Sequence, residues 1–236
     1  MNLETSSTNR QSPGEFIILI ALIISLVALS IDAMLPALPL IAADLGVQKI
    51  NNSQYVISIF FAGMALGQMF FGPLSDSIGR RPAIISGFAL FALGCLLSIF
   101  AVNFEQMLLG RLLQGIGAAG PRIVSIALVR DRFKGREMAR VMSFVMTVFI
   151  LVPVFAPAFG QLVLMLADWR FIYVMFLLLV VILVLWFWMR QPETLVPEQR
   201  IQFSFAQLFQ DIGTICRIRS SIGYTLTMGF IFGGFI

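Results

Sequence analysis

Two long apolar runs are separated by one short charged stretch, Gly72-Pro73-Leu74-Ser75-Asp76-Ser77-Ile78-Gly79-Arg80-Arg81-Pro82. Glycine, proline, serine and a few charges together are typical of a tight connection, so the stretch is predicted to be a turn between two helices. The flanking runs, residues 53–74 and 82–102, each have the roughly 20 apolar residues that cross a bilayer as a helix. The stretch is therefore predicted to connect two membrane spans.

The composition of the whole chain supports a membrane protein. Hydrophobic residues make up 59% of the sequence and charged residues 12%, whereas soluble domains average about 25% charged residues. The mean hydropathy is +0.94. The chain has no histidine, and its two cysteines, Cys95 and Cys216, fall in a predicted span and a predicted loop. Neither a disulfide nor a metal site is expected, and no nucleophile–base pattern predicts an enzyme.

Six apolar runs are predicted to be membrane spans: residues 16–42, 53–74, 82–102, 105–128, 140–166 and 170–189. Residues 1–14 are predicted to be a polar tail, and residues 15–190 a six-span bundle. Residues 191–221 form a predicted central loop, with a short amphipathic helix over 203–212. Residues 222–236 are expected to begin a seventh span, and the chain is expected to be a fragment of a longer protein.

The basic residues predict the orientation of the bundle. With the N-terminus in the cytosol, only Lys49 and Arg170 lie on the outer side. The cytosolic side then carries Arg10, Arg80, Arg81, Arg130, Arg132, Lys134, Arg136, Arg140, Arg190, Arg200, Arg217 and Arg219. This asymmetry obeys the positive-inside rule. It also accounts for the net charge of +4, so nucleic-acid binding is not predicted.

Asp32 is an acid inside the first span. A charge within a span costs about 2.5–3.5 kcal/mol on insertion scales, which makes each one a candidate functional residue. Asp32 is predicted to face a cavity and to exchange a proton; the alternative is that it lies in water at the outer interface. Pro36 and Pro39 are predicted to weaken the helix just beyond it.

The fourth span contains two arginines. At 100° per residue, one stripe of this helix holds Arg111, Gln114, Gly115, Ala118 and Arg122. Polar and small residues together predict that the stripe faces other helices rather than lipid. For both arginines the alternative is that the side chain extends to the membrane surface.

The fifth span contains Pro153, Pro157 and Gly160. Each proline leaves a backbone carbonyl without its helical donor, which neighbouring groups or a water-filled cavity must satisfy. The span is therefore predicted to be kinked, either as part of a transport pathway or as a kink alone.

Four motifs resemble those of a known family, the major facilitator superfamily. Gly72-x-Leu74-Ser75-Asp76-x-x-Gly79-Arg80-Arg81 resembles its signature loop. Leu108-x-x-Arg111-x-x-Gln114-Gly115-x-Gly117-Ala118-Ala119 resembles the fourth-span motif of its proton-coupled members. Ala156-Pro157-x-x-Gly160 resembles only the tail of the antiporter motif, since Phe155 and Gln161 replace expected glycines. Ile31-Asp32-x-x-Leu35-Pro36-Ala37-Leu38-Pro39, together with Val129-Arg130-Asp131, resembles the bicyclomycin/chloramphenicol-resistance (Bcr/CflA-type) exporters.

The resemblance implies an all-α membrane protein, namely the N-terminal six-helix bundle of a major facilitator fold with 3+3 inverted repeats, whose second half would follow. It implies a monomeric secondary transporter of the bacterial inner membrane that exports small amphiphilic drugs in exchange for protons by alternating access. No cofactor and no metal are implied, because the proton gradient would drive transport. The partners implied are a drug-like substrate, protons and the lipid bilayer.

The resemblance also assigns roles to particular residues. Proton coupling would fall to Asp32 and Arg111, and the cavity would be lined by Gln114, Met34 and Gly115. The cytosolic gating loop would comprise Gly72, Asp76, Gly79, Arg80 and Arg81. There Asp76 would pair with basic groups of its own loop and with a helix end in the second half, and Arg80 and Arg81 would be the positive partners. The kinked interface would comprise Pro153, Pro157 and Gly160.

Two other functions remain open from the sequence. One is a facilitator or symporter for a small polar metabolite. The other is a truncated, non-transporting membrane partner or a half-size dimer.

Overall fold

The structure, a computed structural model, describes residues 12–233. Within these residues the chain forms nine α-helices and three short 3-10 turns, with no β-strand. The helices are α1 Pro13–Asp32, α2 Leu38–Asp44, α3 Tyr55–Ile78, α4 Arg80–Ile99, α5 Phe104–Arg132, α6 Gly135–Leu166, α7 Arg170–Arg190, α8 Phe205–Arg217 and α9 Arg219–Gly233. The all-helical fold predicted from the sequence is confirmed.

Six segments of the described chain are long and apolar enough to cross a membrane. They are Pro13–Asp44, Asn51–Ile78, Arg80–Ile99, Phe104–Arg132, Gly135–Leu166 and Arg170–Arg190. The six predicted spans are therefore confirmed. The predicted tail over 1–14 lies mostly outside the described residues, and α1 already begins at Pro13 with the Ser12 hydroxyl accepting a hydrogen bond from the Glu15 N–H at 3.2 Å.

The first span is broken where its acid lies. α1 ends at Asp32, a 3-10 turn covers Leu35–Ala37, and α2 begins at Leu38. Pro36 has no N–H to donate to the carbonyl of Asp32, so the regular helix cannot continue through this point. The predicted weakening of the helix is confirmed, and it begins at the acid itself.

The sequence predicted a turn over the charged stretch between the second and third spans, but most of this stretch is helical. α3 continues through Pro73 to Ile78, α4 begins at Arg80, and Gly79 alone lies between the two helices. Gly79 has φ = 108°, a conformation that a residue with a Cβ rarely adopts, and this one residue is enough to reverse the chain direction. Ser75 and Ser77 lie within α3, and their hydroxyls donate to backbone carbonyls three residues earlier, Gly72 at 2.8 Å and Leu74 at 3.0 Å.

Small residues bring α5 close to both α3 and α4. A Cβ added at Gly115 would lie 2.1 Å from the Phe60 carbonyl oxygen of α3, and one at Gly117 would lie 2.3 Å from the Phe91 nitrogen of α4. Backbones this close exclude lipid between the helices. The predicted packing face of the fourth span is confirmed.

The chain divides into two compact units, with the boundary between Arg200 and Ile201. The described part of the first unit contains α1–α7 together with residues 191–200, which the sequence had placed in the central loop. The second unit contains α8 and α9. α8 confirms a helix after Phe203 and is longer than the predicted 203–212; its position on a membrane surface stays a prediction. α9 begins at Arg219, and residues 234–236 of the predicted seventh span lie outside the described residues.

Candidate functional site

Arg80 joins the ends of α3 and α5. Its guanidinium donates to Asp76 near the end of α3, to the Ser75 hydroxyl at 2.8 Å and to the Asp131 carboxylate at 3.2 Å. Only 11% of the Arg80 side chain is exposed, compared with 45% for Asp76. The predicted ion pair between Asp76 and a basic group of its own loop is therefore present. We call Asp76, Arg80, Asp131 and Glu193 the Arg80 cluster.

Glu193 completes this cluster, and the sequence did not single it out. Its carboxylate accepts hydrogen bonds from the backbone N–H groups of Arg80 at 2.9 Å and Arg81 at 3.0 Å, the first residues of α4. It also accepts from the N–H groups of Thr194 and Leu195, both at 3.0 Å. The N–H groups of Arg80 and Arg81 are among those that a helix leaves without an internal partner at its N-terminus. Glu193 thus caps α4 from a position more than one hundred residues further along the chain.

The charge on Glu193 is stabilised where it lies. Burial by itself would raise the pKa of Glu193, but the four backbone N–H groups outweigh burial and hold the pKa of this carboxyl below its usual value. Gly79 makes room for the carboxylate, since a Cβ there would lie 2.5 Å from Oε2 of Glu193. In the sequence, Glu193 stands out only as the acid of a Pro-Glu pair that closely follows an apolar run. Nothing in the sequence indicates which helix Glu193 caps.

Arg81 does not act as a partner of Asp76, contrary to the sequence-based expectation. Its Nη2 donates to the Trp188 carbonyl at 2.6 Å, and its guanidinium carbon lies 5.8 Å from the centroid of the Trp188 ring. Within residues 12–233 it forms no ion pair. Arg81 points along α7 instead, because α7 ends beside the start of α4. The gating role of this loop stays a prediction.

Arg111 lies inside the bundle and has no exposed surface. It donates to the Val56 carbonyl at 3.0 Å, to the Ser30 carbonyl at 3.2 Å and to Oε1 of Gln114 at 2.6 Å. Its guanidinium carbon also lies 4.4 Å from the centroid of the Phe60 ring. The alternative that Arg111 extends to the membrane surface is therefore wrong. Its charge instead joins α5 to α1 and α3 through carbonyl dipoles.

Asp32 lies two residues beyond a contact of Arg111 in α1, but Arg111 forms no hydrogen bond with it. Arg111 reaches the carbonyl of Ser30, two residues before Asp32 in α1. Asp32 is half-buried, and no residue in the described range 12–233 forms a hydrogen bond or ion pair with its side chain. The structure thus brings the two residues assigned to proton coupling to the same level of the bundle without a direct contact. Their coupling stays a prediction.

The three residues assigned to the cavity lie in tightly packed surroundings. Gln114 and Met34 have no exposed surface, and Gln114 donates from Nε2 to the Cys95 sulfur at 2.9 Å. Gly115 contacts the backbone of α3 rather than an open space. An apolar crevice of about 460 Å³ lies elsewhere, between α1, α6 and α7, and its lining includes Leu29, Phe159 and Met175. In this conformation the predicted cavity residues therefore serve helix packing.

The residues assigned to the kinked interface lie on α6. The helix runs without a break from Gly135 to Leu166, with Pro153 and Pro157 inside it. A Cβ at Gly160 would lie 2.1 Å from the Ala33 carbonyl oxygen. Gly160 therefore allows α6 to approach α1 closely at the residue that follows Asp32.

A second polar cluster lies at the other end of the bundle and was not predicted. Arg170 donates to Asp44 at 2.7 Å, to Asp168 at 3.1 Å and to the Ala101 carbonyl at 3.0 Å. The Trp169 indole N–H also donates to Asp44, at 3.2 Å. These contacts join the end of α2 to the connections before α5 and α7. No group of three or more acidic, cysteine or histidine side chains within the described residues could hold a metal ion.

The chain matches proteins of known family over most of its length. A model of the Major Facilitator Superfamily matches residues 20–236. The chain belongs to the major facilitator superfamily. This superfamily consists of membrane transporters and not enzymes, so the chain is part of a multi-pass integral membrane protein with a major facilitator fold.

Curated relatives narrow the comparison. The chain is 36% identical over 208 residues to the uncharacterized MFS-type transporter YdgK of Bacillus subtilis (strain 168), covering 87% of the chain and 52% of YdgK. It is 31% identical over 219 residues to a bicyclomycin resistance protein homolog of Haemophilus influenzae, covering 93% of the chain and 55% of that protein. It is also 36% identical over 140 residues to the multidrug resistance protein MdtL of Citrobacter koseri, covering 59% of the chain and 36% of MdtL.

A solved structure shows the same fold. The human organic anion transporter MFSD10 (TETRAN) matches with a TM-score of 0.64 at 21% identity, covering 84% of the chain and 53% of that structure. The chain spans about half the length of the first two curated relatives.

Proposed function

We propose that the full-length protein exports small amphiphilic compounds in exchange for protons, by alternating access, in a bacterial inner membrane. The observation that carries the proposal is Asp32, a half-buried acid within a span that no described residue neutralises. Acids inside membrane spans are costly, and those that persist are typical of proton pathways. Relatives named for multidrug resistance and bicyclomycin resistance support an exporter of drug-like compounds.

The break in α1 supports a proton-carrying role for Asp32. Because Asp32 is the last residue of α1, its side chain lies where regular helix gives way to a 3-10 turn. Broken helices are typical of the places where secondary transporters bind substrates and coupling ions. Coupling follows if a proton and the cargo occupy the Asp32 region in turn, so that export of one requires entry of the other.

The two polar clusters support alternating access. The Arg80 cluster joins α3, α4 and α5 at one end of the bundle, and Arg170 joins α2 to the connections before α5 and α7 at the other end. Each end is thereby held together within the first compact unit. Alternating access by rocking needs bundles that move as rigid bodies, and contacts that join several helices at each end favour such movement.

The test uses the full-length protein in everted membrane vesicles. In Asp32→Asn, the rate of efflux driven by a pH gradient should fall by at least about tenfold, because the amide cannot carry the proton. The amount of protein in the membrane should stay the same. Glu105→Gln is the matched control; this acid is exposed and belongs to neither polar cluster, so the variant should transport like the wild type. Proton-driven efflux by Asp32→Asn at the wild-type rate would refute the proposed role of Asp32.

A further inference from the structure

Arg122 is a second arginine inside the fourth span, and the two polar clusters do not include it. It lies in α5, about ten residues before the end of the helix at Arg132, which places its Cα about 15 Å from that end. Its side chain is half-buried. An arginine at this depth is costly and needs a compensating partner.

The side chain does not extend to the membrane surface. Its Nη1 lies 3.9 Å from the Met64 sulfur, and its guanidinium carbon lies 5.6 Å from the centroid of the Phe149 ring. Both residues lie about 14 residues, or roughly 21 Å, from the ends of α3 and α6 on this side of the bundle. The guanidinium therefore lies deeper than its own Cα. This direction is the expected one, since helical side chains lean toward the N-terminus of their helix.

Arg122 differs from Arg111 in what it contacts. Arg111 is fully buried and donates to two carbonyls and one side-chain amide. Within the part of the chain that the structure describes, the guanidinium of Arg122 contacts a thioether sulfur and an aromatic ring, and no carboxylate lies within ion-pair distance. A thioether is a weak acceptor, so nearly all of the donors of this guanidinium remain available to a ligand.

We propose that Arg122 binds the anionic group of the transported compound. This inference rests on the proposed function and narrows its substrate class to small amphiphilic anions that carry a carboxylate, sulfonate or phosphate. The planar guanidinium matches such groups in a two-point hydrogen-bonded geometry. Met64 and Phe149 flank the guanidinium with a polarisable sulfur and an aromatic face, which suit the apolar body of the same molecule.

The test measures binding of two probes to the full-length protein in lipid nanodiscs, without any pH gradient. Dansylglycine carries a carboxylate, and dansylglycinamide has the same body without the charge. Wild-type protein should bind dansylglycine at least about tenfold more tightly. Arg122→Gln should weaken dansylglycine binding by about 10- to 100-fold and change dansylglycinamide binding by less than about twofold.

Two further variants sharpen the result. Arg122→Lys keeps the charge but loses the two-point geometry, so it should bind dansylglycine more weakly than the wild type and more tightly than Arg122→Gln. Arg136→Gln, which removes an exposed arginine, should bind both probes like the wild type. Unchanged binding of the amide shows that Arg122→Gln is folded. Equal affinity of the wild type for the two probes, no binding of dansylglycine, or an equal loss of both probes in Arg122→Gln would overturn the inference. The last result, with a lowered melting temperature, would indicate that Arg122 pairs with a carboxylate elsewhere in the full-length protein.

The binding experiment and the vesicle efflux assay together separate this inference from the proposed function. Binding in nanodiscs needs no proton coupling, so Arg122-dependent binding without pH-driven efflux would refute the exporter and leave the anion site standing. Efflux driven by a pH gradient, without any preference for the anionic probe, would refute the anion site alone.

Discussion

Replacing Glu193 with alanine should release the first turn of α4. The substitution removes the acceptor for the N–H groups of Arg80 and Arg81, the two long-range hydrogen bonds of this carboxylate. A hydrogen bond to a charged group contributes about 1.5–3 kcal/mol net. Because the site is only half-buried and is screened by solvent, we expect the two bonds together to stabilise the turn by about 2–3 kcal/mol.

Hydrogen–deuterium exchange of the full-length protein in nanodiscs measures this effect. A loss of 2–3 kcal/mol in local opening free energy corresponds to exchange about 30- to 150-fold faster in peptides that cover residues 79–84. Glu193→Gln should have a smaller effect, about tenfold, because glutamine keeps one acceptor oxygen. At the position of Oε1, this oxygen still accepts from Arg80, Thr194 and Leu195. Only the bond from Arg81 to Oε2 is then lost.

Glu198→Gln is the matched control, since Glu198 is an exposed acid of the same segment. It should leave exchange at residues 79–84 unchanged. Exchange in Glu193→Ala within about twofold of the wild type would show that Glu193 does not hold this turn. Equal acceleration in Glu198→Gln would show that only the charge of the segment matters.

The pH dependence of the same exchange follows from the lowered pKa of Glu193. A carboxyl whose pKa is lower when folded contributes its full stability above its unfolded pKa of about 4.3 and loses it as the pH falls through the lower folded value. Protection of residues 79–84 should therefore be constant from about pH 8 to pH 5 and fall only in stronger acid. A loss of protection near pH 6 would contradict the assigned state of Glu193.

Three further substitutions test the packing of the bundle. Gly79→Ala should lower the unfolding free energy by about 1–3 kcal/mol in a thermal unfolding assay, because residue 79 has a positive φ and a Cβ there would meet the Glu193 carboxylate. Gly72→Ala is the control and should leave the unfolding free energy unchanged, since its Cβ would meet open space. Gly115→Ala should lower the unfolding free energy by about 1–3 kcal/mol or more, since α3 and α5 must separate to make room for the methyl group. An unchanged melting temperature would contradict the close packing of α3 against α5. Asp44→Asn should lower the unfolding free energy by less than about 1 kcal/mol, because its ion pair with Arg170 is partly exposed and screened by solvent. A loss of several kcal/mol would show that this ion pair is stronger than its exposure suggests.

Local patterns determined most of the fold. The six spans follow from apolar runs of about 20 residues, and the weak point after Asp32 follows from two prolines. Such features depend on residues close together in sequence, so they could be predicted without knowing what each helix touches. The exception was the stretch around Gly79, where α3 continued to Ile78 and a single glycine with a positive φ took the place of a turn of several residues.

In the candidate site, too, some features could be identified from the sequence and others only from the tertiary structure. The sequence identified Asp32, Arg111 and Arg122 as charges within spans, because a charge in an apolar run is visible by itself. Only the tertiary structure showed that carbonyls surround Arg111 while Arg122 has a sulfur and a ring beside it. Only the structure connected Glu193 to the start of α4. Hydropathy and helical periodicity act over a few turns of one helix, whereas the partner of a buried charge is decided by which helices pack together.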